Sequence, residues 1–391
     1  MSRLVRRSFH EESQLIQVAC LPVPLRVDVL ERTELGQSTK IRLTEKIGAI
    51  ASTGAALLGR PVAEWSVRPP LPTREPPRRY DLGGGISLWR LPVGYVRIRE
   101  RHREMPNRLA EAPDGLRFPL MMADKAVTGW LDCTAWLIRH PQTTILVDTG
   151  ESASFGSDAY FAGIGQPKRR LYPRILDGAA PPGGDLAAGL REASVETDEI
   201  DLCVLTHLHS DHIGNLDRLG QRARFLVARE ETRGASGSGR LPEKLPRDGR
   251  VEFTAPSLDH PVFGKVQPLT AWRDILVAPT PGHTAGHQSV VIDCGDRQIV
   301  LAGDAAFGDD QVAHARIPGI VEDAGAVRET YAKLLALRQM KPTIALFSHD
   351  PRNREKLTAY ERAPAANRGL LADAMATSYA HDQFVQRGAA A

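Results

Sequence analysis

Residues 206–212 read Thr206-His207-Leu208-His209-Ser210-Asp211-His212. The chain has 12 histidines, and this short segment holds three of them beside an aspartate. It follows the apolar residues 202–205, which predict a buried strand. Imidazole and carboxylate groups are the usual ligands of zinc at sites that keep an open coordination position. The segment therefore predicts a metal site at a strand end, with a chance histidine-rich turn as the alternative.

The spacing within this segment divides its four candidate ligands into two pairs. His207 and His209 are two residues apart and can point the same way if the chain is partly extended there. Asp211 and His212 then turn toward a neighbouring position. Four ligands are too few for two metal ions, so the segment is interpreted as half of a larger set.

Three further candidate ligands each follow a predicted strand. His283 lies in the segment TPGHTAGH (residues 280–287), where Pro281 and Gly282 predict a tight turn. Asp304 ends the segment LAGD, and His349 lies in LFSHD. Each is weak evidence alone, because a histidine after a strand is often a hydrogen-bonded core residue. The recurrence of His or Asp at successive strand ends strengthens the metal-site interpretation.

Short strands with a few helices between them make up the rest of the pattern. Apolar or alternating runs predict strands at residues 86–91, 136–138, 144–147, 201–205, 225–228, 275–278, 289–292, 299–301 and 343–347. The second and third would form a hairpin with its turn at 139–143. Helical spacing predicts helices at 185–193, with Asp185 as N-cap, and at 326–340. Runs of strands with helices between them predict a layered α/β fold.

Two long stretches, residues 151–184 and 230–266, lack clear periodicity. Loops of this length inside a compact domain are usually functional or disordered. The first contains four aromatic residues: Phe155, Tyr160, Phe161 and Tyr172. These side chains could cover a pocket or could simply attach the loop to the body of the domain, and the sequence favours neither.

Residues 67–79 contain five prolines among arginines and predict a linker or an extended strap. We place a boundary here, between an N-terminal extension of unknown role (1–78) and the main domain (79–391). The extension has a strand pattern at 25–30. Residues 47–59 resemble a short secretory apolar core, but their depth in the chain favours a buried helix of small residues.

Composition and charge exclude several classes of function. Of the 391 residues, 42% are hydrophobic and 25% are charged, as in ordinary soluble proteins. A formal net charge of +3 gives no strong attraction to nucleic acid or to an anionic membrane. No apolar run reaches the roughly 20 residues that span a bilayer. We therefore expect a small-molecule substrate and neither nucleic acid nor membrane as a partner.

The cysteines and the N-terminus bear on the compartment. Cys20, Cys133, Cys203 and Cys294 form no CxxC pair, so neither a disulfide framework nor a thiolate zinc site is expected. Cys203, within an apolar run, is expected in the core. The basic N-terminus is interrupted by acidic residues 11 and 12 before any apolar core, which argues against a signal peptide. We expect a cytoplasmic protein, with secreted or periplasmic location as the alternative.

The order of the motifs resembles the metallo-β-lactamase superfamily. The segments are THLHSDH (206–212), TPGHTAGH (280–287), AGDA (302–305) and SHD (348–350), with LVDTG at 146–150 before them. The resemblance covers about residues 86–355. It implies an αββα sandwich with the metal centre at one edge, between two sheets.

The resemblance also implies two divalent metal ions, with zinc expected first and manganese, iron or cobalt as alternatives. It assigns three ligands to one ion, three to the other and one to both: His207, His209 and His283; Asp211, His212 and His349; and Asp304. His287 matches the motif but is not a ligand in the family, so it is interpreted as structural. Asp148 is expected to support the ligands by hydrogen bonding.

Within the superfamily the sequence most resembles the N-acyl homoserine lactonases, the quorum-quenching enzymes. This implies opening of a lactone ring by metal-bound hydroxide, with Asp211 passing a proton to the leaving group. Those enzymes carry a tyrosine three residues after the bridging aspartate, and its hydroxyl contacts the substrate. This chain has Phe307 there, which is expected to line the substrate site without that hydrogen bond.

Other members of the fold remain as alternatives. A phosphotriesterase or an aryl or alkyl esterase is the second interpretation, ahead of a β-lactamase or a non-catalytic metal-binding member. A nuclease is disfavoured because the interval from Asp304 to His349 is too short for its usual insertion. A diiron electron-transfer module is disfavoured because it has a glutamate where His209 stands. A homodimer is left open.

Overall fold

The computed structural model describes residues 68–362, apart from residues 107, 108, 110, 111, 113, 167 and 235–238. The expected strand at 25–30, the expected helix at 47–59 and Cys20 lie outside the described residues. So does most of the proposed extension, and the boundary between 1–78 and 79–391 remains a prediction. No helix among the described residues has the length and apolar character needed to cross a bilayer.

Two sheets form the centre of the domain. The strands of the first sheet are β1 Arg78–Gly83, β2 Ile86–Ile98, β3 Leu131–His140, β4 Thr143–Val147, β5 Leu176–Ala179, β6 Leu202–Val204, β7 Arg224–Val227 and β8 Val251–Phe253. They lie in the order β1-β2-β3-β4-β6-β7-β8, and β5 pairs with β2. Pairing is antiparallel from β1 to β4 and parallel from β4 to β8.

The second sheet contains six strands in the order β14-β13-β12-β11-β10-β9. Their bounds are β9 Leu258–His260, β10 Gly264–Pro268, β11 Ile275–Pro279, β12 Gln288–Asp293, β13 Gln298–Gly303 and β14 Thr343–Phe347. Neighbours are antiparallel except for β13 and β14, which are parallel. As a result β11, β13 and β14 run in the same direction, and their carboxyl ends meet at one edge.

Helices cover the outer faces of the sheets. Their bounds are α1 Glu100–Arg103, α2 Asp114–Met122, α3 Lys168–Ile175, α4 Leu186–Glu192, α5 Ser210–Ile213, α6 Asp309–Ala313, α7 Ala324–Met340 and α8 Asn353–Arg362. Leu190 of α4 belongs to the apolar cluster on the first sheet, and Tyr331 of α7 to the one on the second. A third apolar cluster lies between the sheets.

Strand alternation explains these layers. In β4, Ile145 and Val147 join the cluster between the sheets, whereas Leu146 joins the cluster under the helices. Successive side chains of a strand point to opposite faces, so a strand covered on both sides is apolar throughout. The four layers confirm the αββα sandwich predicted from the sequence.

Most predicted elements are confirmed, with shifted ends. The hairpin exists, but its turn is only Pro141 and Gln142, because β3 and β4 extend further than their apolar patterns. The helix at 185–193 begins where expected, since the Asp185 side chain accepts a hydrogen bond from the Ala188 N–H at 2.8 Å. Cys203 is buried in the core, as predicted.

The prediction of two long structureless stretches is partly wrong. The first contains α3 and β5, and the second contains β8, β9 and β10. Five of the eight residues of the helix KRRLYPRI are basic or proline, which hides its periodicity. The strands β8 and β9 have three residues each, too few to show an alternation.

The proline-rich residues 68–77 form neither helix nor strand and lie along the first sheet. Arg74 forms an ion pair with Glu192 of α4 at 2.7 Å. Glu75 pairs with Arg90 of β2 and with Arg354 of α8, each at 2.8 Å. Among the two sequence interpretations, these contacts support the extended strap.

Candidate metal centre

All seven predicted ligands lie where strands end. His207, His209, Asp211 and His212 follow β6 and continue into α5. His283 follows β11, Asp304 follows β13 directly, and His349 follows β14. Because these strand ends meet at one edge of the sandwich, residues up to about 140 positions apart in sequence come together. All seven side chains are buried.

Three histidines form what we call the histidine cluster: His207, His209 and His283. Nδ1 of His209 lies 3.0 Å from Nε2 of His207 and 3.0 Å from Nε2 of His283. The two Nε2 atoms are 3.2 Å apart. The three ring nitrogens thus face one common point.

This arrangement fits a metal ion. Three mutually facing nitrogens cannot all be satisfied by hydrogen bonds among themselves, because each N–H points at one neighbour. A tetrahedral zinc ion, with Zn–N bonds of about 2.0–2.1 Å, separates its nitrogen ligands by about 3.3 Å. Burial, followed by the neighbouring histidines, holds the pKa of His207 well below its ordinary value, so its lone pair is available to a cation.

The remaining four side chains form what we call the carboxylate cluster: Asp211, His212, Asp304 and His349. Nε2 of His349 lies 3.2 Å from Oδ2 of Asp211 and 3.5 Å from Oδ2 of Asp304. Nε2 of His212 lies 3.3 Å from Oδ1 of Asp304. Oδ2 of Asp304 is also 3.5 Å from Nε2 of His283, so this carboxylate faces both clusters.

The buried carboxylates of the carboxylate cluster favour a positive charge beside them. Burial would lower the pKa of His349, but the Asp304 and Asp211 carboxylates outweigh it and raise that pKa to about 10. Burial likewise opposes a charged His212, yet Asp304, Asp148 and Asp211 raise its pKa well above the ordinary value. A divalent ion would supply the same compensation for the carboxylates. The donor set therefore fits divalent metal ions.

Asp148 orients the segment that carries most of the candidate ligands. Its carboxylate accepts hydrogen bonds from the Thr206 N–H and hydroxyl, both at 2.8 Å, and contacts Nδ1 of His212 at 2.8 Å. It adopts φ 60°, which is uncommon outside glycine and holds the carboxylate in place. The expected support of a candidate ligand by the Asp148 carboxylate, as a hydrogen-bond acceptor, is confirmed for His212.

His287 has a structural role, as predicted. Its Nδ1 faces the Thr280 carbonyl oxygen at 3.0 Å, and its Nε2 accepts the Asp304 N–H at 3.0 Å. With both ring nitrogens engaged, His287 positions the backbone of Asp304. Gly303 permits this approach, because a Cβ at its φ of 54° would lie only 2.7 Å from the His287 Nε2.

Two buried glutamates were missed by the sequence reasoning. Glu231 accepts hydrogen bonds from the Leu208 N–H at 3.0 Å and the Gly286 N–H at 2.9 Å. It therefore connects the segments 206–212 and 280–287, which both carry candidate ligands. Glu151 accepts from the Ser210 hydroxyl at 2.9 Å. Burial, and then the Asp211 charge, raise the pKa of Glu151 to about 8.

Cys133 lies close to the carboxylate cluster, a proximity that its position in the sequence did not indicate. β3 brings its Sγ within 4.8 Å of candidate ligand atoms of Asp211 and His349. The CxxC spacing rule covers ligands close in sequence, and this contact joins residues from distant strands. Burial and the nearby Asp211 carboxylate raise the pKa of the thiol well above its ordinary value.

An open pocket with an empty volume of about 440 Å³ leads to these residues. Its lining outside the two clusters is mostly apolar: Val96, Ile98, Tyr172, Ile175, Leu176, Phe307 and Ile320, together with His102 and Gly239. Phe307 stacks on His349, with ring centroids 5.6 Å apart. A mostly apolar lining with a few polar groups is typical of small-molecule sites.

The aromatic residues of the first long stretch serve both predicted purposes. Phe155, Tyr160 and Phe161 pack on one another, and Tyr160 and Phe161 are buried in the core. Tyr172 lines the pocket and donates a hydrogen bond to the Gly239 carbonyl at 2.6 Å. Three of the four thus attach the segment, and one forms part of the wall.

Curated relatives at low identity are hydrolases. The chain is 26% identical over 239 residues to a probable metallo-hydrolase of Mycobacterium bovis, a match that covers 56% of this chain and 74% of the relative. It is 22% identical over 241 residues to the N-acyl homoserine lactonase AttM of Azorhizobium caulinodans, covering 59% and 84%.

Solved structures show the same fold. One is an N-acyl homoserine lactone hydrolase with the product N-hexanoyl-L-homoserine bound at its catalytic metal centre. It matches with a TM-score of 0.53 and 17% identity, over 72% of this chain and 96% of that one. The model of the metallo-beta-lactamase superfamily matches residues 128–349, which is more than half of the sequence. This chain therefore belongs to the metallo-beta-lactamase superfamily.

Proposed function

We propose that this metal-dependent hydrolase holds two divalent metal ions and opens the lactone ring of N-acyl homoserine lactone-like substrates. The observation that carries the proposal is the convergence of seven buried ligand groups beneath a largely apolar pocket. The similarity to curated N-acyl homoserine lactonases supports the substrate class.

In this proposal the histidine cluster would hold one ion, and Asp211, His212 and His349 would hold the other. Asp304 would contribute to both positions, because its oxygens face both clusters. When bound, such ions lower the pKa of a water molecule and polarise the scissile carbonyl group. Zinc is the first expectation, because imidazole and carboxylate ligands suit it.

The protein groups have distinct tasks. Asp211 takes up a proton from the nucleophile and passes it to the leaving alkoxide oxygen. The apolar wall formed by Val96, Ile98 and Leu176 receives an acyl chain and excludes water. Phe307 forms the wall above His349 and offers no hydrogen bond to the substrate.

A second candidate is hydrolysis of aryl esters or phosphotriesters. The specific observation that favours it is Phe307, because an apolar wall suits an aryl or alkyl substituent as well as an acyl amide. Both reactions use the same ligand set, so substrate preference alone separates them.

The test is a hydrolysis screen of the metal-loaded full chain with N-acyl homoserine lactones, aryl esters and phosphotriesters. We expect the lactones to give the highest kcat/KM. His209→Ala should abolish most of this activity while leaving the fold intact by circular dichroism, and His260→Ala, outside the site, serves as the control. Faster turnover of phosphotriesters would favour the second candidate, and full activity in His209→Ala would reject the site.

A further inference from the structure

We propose that His102 positions the substrate by a hydrogen bond to a carbonyl or amide oxygen next to the scissile bond. The inference rests on the proposed function and deepens it, since it names the polar group in the pocket that recognises the acyl amide part of a lactone. No feature of the local sequence marked this residue.

His102 lines the same pocket as the candidate metal ligands. It belongs to α1, which follows β2 after one residue, and Val96 and Ile98 of β2 also line this pocket. Asp211, Asp304 and His349 line it too, and their charges act on the His102 ring. A substrate with its reacting carbonyl at the metals would therefore place its neighbouring polar atoms within the surroundings of His102.

The imidazole of His102 has hydrogen-bonding capacity that the described residues do not use. The side chain is 7% exposed, and its Nδ1 is buried without a hydrogen-bond partner among those residues. A buried polar atom left unpaired destabilises a protein, so such an atom in a binding pocket is typically paired by the ligand or by water. Burial lowers the pKa of His102 to about 3, so the ring is neutral and has one donor and one acceptor nitrogen.

Outside the two clusters, the other polar side chain that lines the pocket already has hydrogen-bond partners. The Tyr172 hydroxyl donates to the Gly239 carbonyl at 2.6 Å and accepts the Ser210 N–H at 3.2 Å. The remaining lining side chains outside the two clusters are apolar. Among the described residues that line the pocket, His102 is thus the side chain suited to recognise a polar substrate group.

The backbone of His102 is held on both sides, which favours a fixed position for its ring. Its N–H donates to the Arg99 carbonyl at 3.0 Å, and its own carbonyl accepts the Gly319 N–H at 3.0 Å. The Arg99 guanidinium in turn donates to the Met122 and Arg174 carbonyls at 3.3 and 3.2 Å. A group fixed before the substrate arrives loses little entropy on binding.

The test uses two substitutions of similar size, His102→Gln, which keeps a donor and an acceptor, and His102→Phe, which keeps neither. The probe is the γ-lactam analogue of N-hexanoyl homoserine lactone, which resists hydrolysis, and its binding to the metal-loaded full chain is measured by calorimetry. We expect His102→Phe to weaken binding about tenfold and His102→Gln to restore most of it, as for one hydrogen bond to a buried partner. His260→Gln, on strand β9 outside the pocket, is the control.

Metal content and hydrolysis are measured in parallel to separate the two proposals. Equal binding of the lactam by all variants, or no binding by the wild type, overturns the role of His102. A His102→Phe protein that has lost metal also overturns it, because the residue would then act on the metal centre. Lactam binding that depends on His102, without lactone turnover in the wild type, supports this inference while rejecting the proposed function.

Discussion

The two clusters of the metal centre lie side by side and differ in chemistry. In the histidine cluster, burial holds the pKa values of His207 and His283 well below the ordinary range, so these two rings are neutral. In the carboxylate cluster, Asp211 and Asp304 keep low pKa values through His212 and His349 despite their burial. One cluster therefore offers free lone pairs, whereas the other holds negative charge that requires a cation.

The two proposed metal positions are therefore not equivalent. An ion at the histidine cluster would displace no proton from His207 or His283, because these rings are neutral. An ion at the carboxylate cluster would replace the positive charge of His212 and His349, so binding there would be coupled to proton release. Asp304 is the side chain that faces both positions.

The largest effect is expected for Asp304→Ala, which removes the group common to both clusters. We expect lactone hydrolysis to fall by roughly 1,000-fold or more, as for a residue that acts as part of a catalytic unit. Steady-state kinetics on the metal-loaded variant checks this. Asp259→Ala, on the exposed strand β9, should behave as wild type, and an active Asp304→Ala protein would remove the bridge from the proposal.

Paired substitutions should separate the two clusters. His209→Ala is expected to lose the ion of the histidine cluster and His349→Ala that of the other, so each variant should retain about one ion per chain. Elemental analysis after dialysis measures the ratio of metal to protein. If either substitution removes all the metal, the clusters are not independent positions.

Asp148→Asn should affect the carboxylate cluster more than the histidine cluster. The carboxylate contacts Nδ1 of His212 at 2.8 Å, and loss of such a partner typically lowers metal affinity about 10–100-fold. Competition with a chromophoric chelator would resolve the weaker of two binding steps. An equal change in both steps would contradict the local role of Asp148.

The smallest effect is expected for Glu151→Gln, and it depends on pH. The pKa of Glu151 is raised to about 8 in the folded protein, above its usual value near 4.5. Its contribution to the free energy of unfolding is therefore fully present below about pH 4.5 and is lost as the pH rises through 8. Glutamine mimics the protonated form, so the variant should match wild type near pH 5.

At pH 8 we expect the Glu151→Gln protein to melt about 3 °C higher than wild type, measured by thermal unfolding of the chelator-treated proteins. Glu192→Gln, on the exposed side of α4, provides the control. A constant difference in melting temperature from pH 5 to pH 8 would show that Glu151 does not titrate in this range.

Much of the candidate metal centre could be predicted because its candidate ligands follow strands that are recognisable in the sequence. Apolar residues 202–205, 299–301 and 343–347 mark strand ends, and each has a His or Asp just beyond it. The carboxyl ends of these strands meet at one edge of the sandwich, which brings the candidate ligands together. A local pattern was enough because each ligand is close in sequence to the strand that positions it.

The supporting residues could not be predicted in this way. Glu231 contacts backbone N–H groups of Leu208 and Gly286, and its own neighbours in sequence form an ordinary polar turn. His102 approaches the centre from α1 and Cys133 from β3, both far from the histidine motif in sequence. Their roles depend on sheet order and side-chain burial, which a single sequence does not specify.

The most direct test of the central claim is anomalous diffraction from crystals of the zinc-loaded protein at the zinc absorption edge. We predict two peaks per chain, one among His207, His209 and His283 and one among Asp211, His212 and His349, with Asp304 in contact with both. A single peak, or a peak held by other side chains, would contradict it.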